Sequence, residues 1–306
     1  MITAEIIKKK AEELGASVCG IGALDIFEGE DIQKDPKMIL PNAKCIIGFG
    51  FAVPRGLYLT MDIKSQFYTY TTMGVKYIDE EMAEIFLLKI GGMIENEGYD
   101  ACLQKSIPNL RIKGDKTTNP EVMDTYELIH AEPVDDGKPA PDVIVDFAKA
   151  AKACGIGEMG LSGKIINKEY GPFMRYCFII TDAPLETDEP LTEKICDNCG
   201  ECMSACPGNA ISENGLDTWQ CAVYYKGAHK SNPFITDDFL KGNLERDAIL
   251  NGKKRFNAES AREIYKQMDF LPNTQWGYAP CLCGKKCDIA CYKHLKGSLS
   301  NEAGNY

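Results

Sequence analysis

The sequence predicts a mixed α/β (α+β) domain followed by a smaller, cysteine-rich domain. Short apolar runs alternate with helix-like stretches over the first part of the chain, which is typical of a domain built on a sheet. Five of the 14 cysteines lie in residues 1–195, and the other nine lie in residues 196–291. Pro184 and Pro190 mark a linker between the two parts. We therefore expect domains over 1–190 and 191–306, with a helical insertion in the second at about 230–275.

The first part shows the period of helices and of buried strands in turn. Apolar residues recur at helical spacing over 3–14, and Gly15 follows as a stop signal. Two further stretches have the helical pattern, and short runs rich in β-formers predict buried strands. The predicted helices are 3–14, 79–97 and 142–154, and the predicted strands are 16–22, 45–51, 99–103, 164–167 and 175–181.

The charge and the N-terminus exclude several classes of protein. The net charge of −11 disfavours broad nucleic-acid binding, which needs clustered Lys and Arg. The N-terminus has neither an apolar signal core nor a twin-arginine pair, and no apolar run approaches the roughly 20 residues of a membrane helix. We expect a cytoplasmic protein with reduced thiols and with neither a membrane nor a nucleic acid as partner. Cysteines in such a protein serve a metal or catalysis.

The strongest motif is a run of four cysteines that ends before a proline. Cys196, Cys199, Cys202 and Cys206 form the pattern C-x2-C-x2-C-x3-C, and Pro207 follows. This is the bacterial ferredoxin run, in which three thiolates bind one 4Fe–4S cluster and the fourth binds a second cluster. Zinc sites usually show two separated cysteine pairs instead. The run therefore predicts iron–sulfur clusters.

A second group of cysteines can complete two clusters. Cys281, Cys283, Cys287 and Cys291 form this group, and Cys221 stands alone between the two groups. Four thiolates hold each cluster, so one of the nine cysteines is left over. The crossed pattern assigns Cys291 to cluster 1 with Cys196, Cys199 and Cys202, and it assigns Cys206 and Cys287 to cluster 2. Spacing leaves open which two of Cys221, Cys281 and Cys283 complete cluster 2.

Gly155, Gly157 and Gly160 reproduce the dinucleotide-binding pattern GxGxxG. That site needs a strand before the glycines and a helix after them. Here a helix-like stretch precedes the glycines and a short predicted strand follows. The pattern predicts either a plain tight turn between helix and strand or a loop whose backbone approaches a flat cofactor closely, because glycine has no side chain.

The glycine turn and the cysteine run together resemble the core of the epoxyqueuosine reductase and reductive dehalogenase superfamily. The matching stretch is GIGEMGLSGKIINKEYGPFMRYCFIITDAPLETDEP (155–190), with CDNCGECMSACPGNAI directly after the linker. LKIGGMIENEGYDACLQ (88–104) resembles the helix and strand that precede this core. TWQCAVYY (218–225) resembles the segment that supplies a single extra cluster ligand. The resemblance covers about residues 80–230 and 281–295.

The resemblance implies a fold and a set of cofactors. It implies a nitroreductase-like N-terminal domain that holds cobalamin and a ferredoxin-like C-terminal domain with two 4Fe–4S clusters. Electrons would come from an external donor such as a ferredoxin or flavodoxin, and a proton donor would complete a two-electron reduction. It also makes Cys221 a ligand. With Cys283 as the other, Cys281 becomes the spare thiol.

The resemblance also carries site residues onto this sequence. A proton donor corresponds most nearly to Asp142, whose alternative role is a plain helix N-cap. The tyrosine donor of the dehalogenases has candidates in Tyr68, Tyr70 and Tyr77, although packing in the core is the alternative for each. The turn expected at the edge of the corrin ring consists of Glu158, Met159, Gly160, Ser162 and Gly163.

These observations predict an oxidoreductase. Because the chain is acidic and its last cysteine, Cys291, is followed by Tyr292 rather than proline, we expect a divergent relative that reduces a small organic molecule with a corrinoid. A corrinoid-free electron-transfer protein and a reductive activator of a corrinoid protein are the alternatives.

Overall fold

The computed structural model of the protein describes residues 2–105, 133, 135–268 and 279–299. Its strands are β1 (Val18–Ala23), β2 (Cys45–Ala52), β3 (Ala101–Gln104), β4 (Glu158–Met159), β5 (Ile165–Ile166), β6 (Met174–Thr181), β7 (Ile211–Ser212) and β8 (Gly215–Leu216). Four of them form an antiparallel sheet in the order β1-β2-β6-β3. The antiparallel pairing makes the fold α+β and excludes the parallel sheet of a dinucleotide-binding domain.

Helices surround this sheet and build the cysteine-rich part. They are α1 (Ala4–Glu13), α2 (Pro36–Ile39), α3 (Arg55–Asp62), α4 (Tyr68–Thr71), α5 (Ala83–Glu95), α6 (Phe147–Ala153), α7 (Glu201–Ala205), α8 (Thr218–Tyr225), α9 (Arg246–Leu250), α10 (Ala258–Met268) and α11 (Lys286–Lys296). Two wide π-helical turns, Thr72–Lys76 and Ile78–Met82, join α4 to α5. Within the described ranges, no helix combines the length and the apolar character needed to cross a membrane.

The central strands are buried on both faces, because helices cover the sheet on both sides. Along β2, Ile47 and Phe49 belong to the core that contains residues of α1 and α5. Ile46, directly before Ile47, points to the opposite face and belongs to a second core that contains residues of α6. Burial on both faces is why the sequence shows unbroken apolar runs rather than alternation.

Helix α6 approaches the sheet closely because glycines face it. A Cβ atom at Gly20 would lie 1.9 Å from the carbonyl oxygen of Cys154, and one at Gly22 would lie 2.7 Å from Ala153. Gly155, at φ +69°, then turns the chain away from the helix. This contact fixes where the glycine turn begins, as the sequence predicted for a turn between helix and strand.

The later part of the chain contributes to two hydrophobic cores. Leu282, Ile289 and Leu299 join the core that α1 and α5 build against the sheet. The insertion forms a separate core in which α8, α9 and α10 meet, with Tyr224 and Ile264 fully buried. The division at residue 190 stays a prediction.

The structure corrects one helix. The predicted helix over 142–154 begins only at Phe147, and Asp146 is its N-cap, accepting hydrogen bonds from the backbone N–H groups of Ala148 and Lys149. Asp142 is therefore not the N-cap. The helix does not extend back to Asp142, because residues 143–146 are extended or irregular.

Substitution of Gly20 by Ala tests the close approach of α6. We expect a loss of about 3 kcal/mol or more in the free energy of unfolding, because the new Cβ would collide with a backbone oxygen that cannot rotate away. Gly56→Ala is the matched control, since a Cβ at Gly56 meets nothing within 4 Å. Chemical denaturation of both variants measures the difference, and equal stabilities would contradict the packing described.

Candidate metal centre and adjoining cleft

Four cysteines line one pocket between α7 and α11. They come from the loop before α7, from α7 itself and from α11: Cys196, Cys199, Cys202 and Cys291. The loop can present three thiols to one centre because Asn198 (φ 59°) and Gly200 (φ 80°) adopt left-handed backbone conformations. His294 closes the rim, with its Nε2 2.7 Å from Asp197 Oδ2. This is the set of residues predicted for cluster 1.

Burial favours the protonated form of the Cys291 thiol. Desolvation, followed by the charges of Asp288 and the neighbouring cysteines, raises the pKa of Cys291 to about 12. Metal binding needs the thiolate form, so a metal must displace the protons as it binds. A metal bound here must therefore interact strongly enough with the thiolates to offset the free energy of deprotonation.

A second group of cysteines lies behind the first. Burial raises the pKa of Cys221 to about 12, and the nearest charged neighbours that influence it include Cys283 and Cys206. Cys287 in turn is influenced by Cys283 and Cys221. Cys206, Cys283 and Cys287 are thus linked electrostatically to Cys221 or to a shared neighbour, and these four residues are the ones predicted for cluster 2.

The two groups share helices. Cys287 belongs to the second group and Cys291 to the first, yet they are one turn apart on α11, where Cβ atoms lie about 5–6 Å from each other. In the same way, Cys202 in α7 belongs to the first group and Cys206, the C-cap of α7, belongs to the second. This placement is compatible with the crossed ligand pattern, which stays a prediction.

The spacing of the sulfur atoms suits a cluster better than a single ion. Four thiolates around one zinc ion, with Zn–S bonds of about 2.3 Å, must lie about 4 Å apart. Among the described residues, the one potential single-ion set with ligand atoms within 4.8 Å of one another is Asp197, Cys199 and His294, which is exposed and contains one cysteine. Within the described ranges, no three cysteine thiols lie within 4.8 Å of one another, as the ligands of a single zinc ion would.

Cys281 lies beside the second group. It is completely buried, and its Sγ is 3.7 Å from Sγ of Cys283. Its backbone N–H donates to Oγ1 of Thr71 at 3.1 Å, which fixes it against α4. Cys281 is among the groups that raise the pKa of the buried Tyr70 and Tyr225 hydroxyls, so its thiol lies near both.

The glycine turn is the wall between the first cysteine pocket and an open cleft. Gly160 and Ser162 line the cysteine pocket, whereas Met159 and Gly163 line the cleft. Glu158 has a different role: its Oε1 accepts hydrogen bonds from the backbone N–H groups of Ile195 and Cys196, the latter at 2.7 Å. Of the five residues predicted at a corrin edge, two therefore line the cleft and three face the cysteines.

The cleft has a volume of about 290 Å³ and a mixed lining. Apolar side chains from α6 and the strands form much of its surface, with charged groups at Asp79, Asp146, Lys164 and Arg175. Arg175 and Asp79 form a two-pronged ion pair, in which Nε donates to Oδ1 at 2.8 Å and Nη2 donates to Oδ2.

The predicted proton donors lie away from this cleft. Asp142 is exposed, and its carbonyl oxygen accepts a hydrogen bond from Gln33 at 3.0 Å. Tyr70 is 2% exposed in α4, and burial raises its pKa well above the ordinary value. Tyr68 is half-buried and Tyr77 is 38% exposed. The cleft lining includes none of these four residues.

Buried charges connect the cleft with the second cysteine group. Nζ of Lys285 is 3.5 Å from Oδ2 of Asp288, and Asp288 is 1% exposed. Repulsion from Lys285, followed by burial, lowers the pKa of Lys164 to about 8, and Cys287 is among the groups that oppose this shift. Lys164 therefore lines the cleft and also interacts electrostatically with the second cysteine group.

Sequence reasoning missed four charged residues of the cleft. Asp146 had a local signal, since an aspartate directly before a helical pattern is a typical N-cap. Lys164 directly follows Gly163 and could have been noticed as part of the same turn. Asp79 and Arg175 are separated by almost a third of the chain, so no local pattern could have paired them.

Comparison with known proteins supports the metal centre. The family profile of the 4Fe-4S binding domain matches residues 191–212, which contain the first cysteine run. Epoxyqueuosine reductase of Leadbetterella byssophila is 24% identical over 267 residues, covering 78% of this chain and 73% of that protein. Epoxyqueuosine reductase of Bacillus subtilis is 26% identical over 226 residues, covering 72% of this chain but 48% of that protein.

A solved structure agrees in fold. A catabolic reductive dehalogenase aligns with 87% of this chain and 34% of its own, at a TM-score of 0.50 and 16% identity. The mixed α/β fold, the resemblance to the superfamily and the oxidoreductase class predicted from the sequence are thereby confirmed.

One expectation is wrong. An epoxyqueuosine reductase that covers 95% of this chain, at 18% identity and a TM-score of 0.44, was crystallised with an epoxyqueuosine-modified tRNA stem loop. Because the relatives found by sequence also carry the name epoxyqueuosine reductase, the expectation that nucleic acid is excluded is overturned. The physical reason is that net charge is a property of the whole surface, whereas contact with a stem loop requires suitable groups only around one site.

Substitution of Glu158 by Ala tests its role at the cysteine loop. Two backbone N–H groups lose their acceptor, so we expect a chelator to remove iron from the first cysteine group about tenfold faster. Glu193→Ala is the control, because Glu193 forms only an exposed ion pair with Lys168. Absorbance decay under an iron chelator gives the rates, and equal rates in the two variants would contradict this role.

Substitution of Lys164 by Met tests the electrostatic strain at the cleft. The folded-state pKa of about 8 lies below the unfolded value, so the charged lysine destabilises the fold below pH 8 and this penalty fades as pH rises towards 10.5. We expect Lys164→Met to raise the melting temperature at pH 7 and to lose that advantage near pH 10. Lys168→Met, at a side chain 74% exposed, should change little at either pH. A gain that persists at pH 10 would attribute the effect to packing alone.

Proposed function

We propose that this chain, a homologue of the epoxyqueuosine reductases, is an iron–sulfur and corrinoid-dependent reductase whose substrate is a modified nucleoside carried by tRNA. One observation carries the proposal: two groups of four cysteines, linked through α7 and α11, lie directly behind a cleft lined by the glycine turn. A bare electron carrier needs the cysteines but has no use for such a cleft.

The residues that would hold the clusters fit them in number and chemistry. Cys196, Cys199, Cys202 and Cys291 would hold cluster 1, and Cys206, Cys221, Cys283 and Cys287 would hold cluster 2. When bound, the clusters supply one-electron transfer and the corrinoid supplies a strongly reducing metal for a two-electron reduction. The chain itself buries the thiols of Cys202 and Cys283 and keeps the loop at Cys196 in place through Glu158.

The cleft suits a flat cofactor with a polar fringe. Met159 and Ile165 offer apolar surface, and Gly163 lets the backbone come close because it has no side chain. The charged groups at the margin can bind amide or hydroxyl substituents. Glu158, Gly160 and Ser162 would then support the turn from the cysteine side.

Asp146 is the acid best placed to deliver a proton in the cleft. Its Oδ1 accepts hydrogen bonds from the N–H groups of Ala148 and Lys149 at 2.8 and 3.1 Å, which fixes the carboxyl group at the start of α6. The other oxygen is free of that cap, and the residue lines the cleft. We therefore propose Asp146, in place of Asp142, as the proton donor of this reductase.

The choice of substrate follows the relatives. Several relatives carry the name epoxyqueuosine reductase, and the cleft is open to solvent rather than enclosed, so that a nucleoside attached to a large molecule can enter. An external one-electron donor and a cytoplasmic location, where thiols stay reduced, complete the proposal.

Cobalamin binding is the first test. Protein purified and reconstituted without oxygen should bind cobalamin and change its absorption spectrum, and Met159→Trp, which would fill the cleft, should abolish this binding while the iron content stays the same. Normal cluster loading without any corrinoid binding in the parent protein would instead assign it to electron transfer.

Substrate identity is the second test. With titanium(III) citrate as reductant and cobalamin present, we expect reduction of the epoxide in an epoxyqueuosine-bearing tRNA stem loop, detected by mass spectrometry of the nucleosides. Asp146→Asn should lower the rate at least tenfold, whereas Asp142→Asn should leave it unchanged. Binding of cobalamin without turnover of the stem loop would reject the substrate while keeping the reductase.

A further inference from the structure

Cys281 is a ninth thiol in a region where two clusters need only eight. It is the most buried of the nine, with none of its surface exposed, and its N–H donates to Thr71 Oγ1 at 3.1 Å. The next residue, Leu282, donates its N–H to the carbonyl oxygen of Tyr225 at 2.9 Å. The Cys281 carbonyl accepts from Gly284 at 3.2 Å, closing a tight turn. Helices α4 and α8 thus both fix the position of this thiol.

Once Cys283 binds a cluster, only one of the two sulfur atoms can donate the hydrogen bond between Cys281 and Cys283. Its Sγ lies 3.7 Å from Sγ of Cys283, within the range of a hydrogen bond between sulfur atoms. A cysteine that ligates iron is a thiolate and has no proton to give. The proton between the two sulfur atoms must therefore belong to Cys281, which becomes the donor.

We propose that Cys281 remains a thiol and donates a hydrogen bond to the Cys283 thiolate, and that this bond raises the reduction potential of cluster 2. The inference rests on the proposed ligand set for that cluster. Hydrogen bonds to cluster sulfur atoms favour the reduced form, because reduction increases the negative charge on the sulfur atoms. Burial strengthens the effect, since water cannot replace the donor.

This hydrogen bond explains the C-x-C spacing at 281–283. A side chain two residues before a ligand, on a turn held at both ends, reaches that ligand without competing for iron. Solvent cannot oxidise the thiol, because none of its surface is exposed. The thiol therefore serves as a permanent part of the cluster's surroundings.

Redox titration of the iron-loaded protein, followed by electron paramagnetic resonance, tests the proposal without corrinoid or substrate. Cys281→Ala should keep its full iron content and should make cluster 2 harder to reduce, by about tenfold in the one-electron equilibrium or about 59 mV. Cys281→Ser keeps a donor and should stay near the parent potential. Cys45→Ala, which removes a buried thiol from the sheet, is the matched control and should change nothing.

The outcomes separate this inference from the proposed function. Loss of a cluster in Cys281→Ala with none lost in Cys283→Ala would make Cys281 the ligand and overturn the proposal, as would an unchanged potential in Cys281→Ala. A parent protein that binds only one cluster would reject the two-cluster assignment itself. Failure to bind cobalamin would reject the reductase proposal while leaving the hydrogen bond testable.

Discussion

One turn of helix α11 joins the two cysteine groups, and much of the structure depends on that short link. Cys287 and Cys291 face different groups from adjacent turns, so α11 must sit between them and against α7. The helix is held in that place by the sheet domain: Ile289 enters its core, and the ring of Tyr292 stacks on Phe173 at 4.3 Å with an angle of 2° between the planes. Tyr292, which replaces the expected proline, thus anchors the helix.

The same link explains why charge is buried here at some cost. Asp288 and Lys285 lie inside the protein beside the second group, and Lys164 meets their field from the cleft. Buried charges of this kind seldom stabilise a fold relative to apolar residues of the same size. Their position between a cleft and a set of thiols indicates that they serve the electrostatics of the site rather than the stability of the fold.

The sequence predicted the parts of the fold that local patterns encode. The strands were visible as apolar runs, and the first cysteine run has a spacing that few other sites share. The antiparallel order of the sheet was not visible, because strand pairing depends on contacts between distant segments. The resemblance pointed to Asp142, and Asp146 was not considered, because only the structure shows where α6 begins. The pairing of Asp79 with Arg175 and the placement of Cys281 against Thr71 likewise join residues far apart in the chain.

The division of α11 between two clusters is the central claim, and the iron content of Cys291→Ala tests it most directly. Reconstituted parent protein should hold about eight iron atoms per chain, and the variant should hold about four, because cluster 1 loses a ligand while Cys287 one turn away still serves cluster 2. Iron analysis by mass spectrometry, with the protein concentration from amino-acid analysis, gives both values. An unchanged iron content, or a parent protein with only four iron atoms or with zinc, would contradict the crossed arrangement.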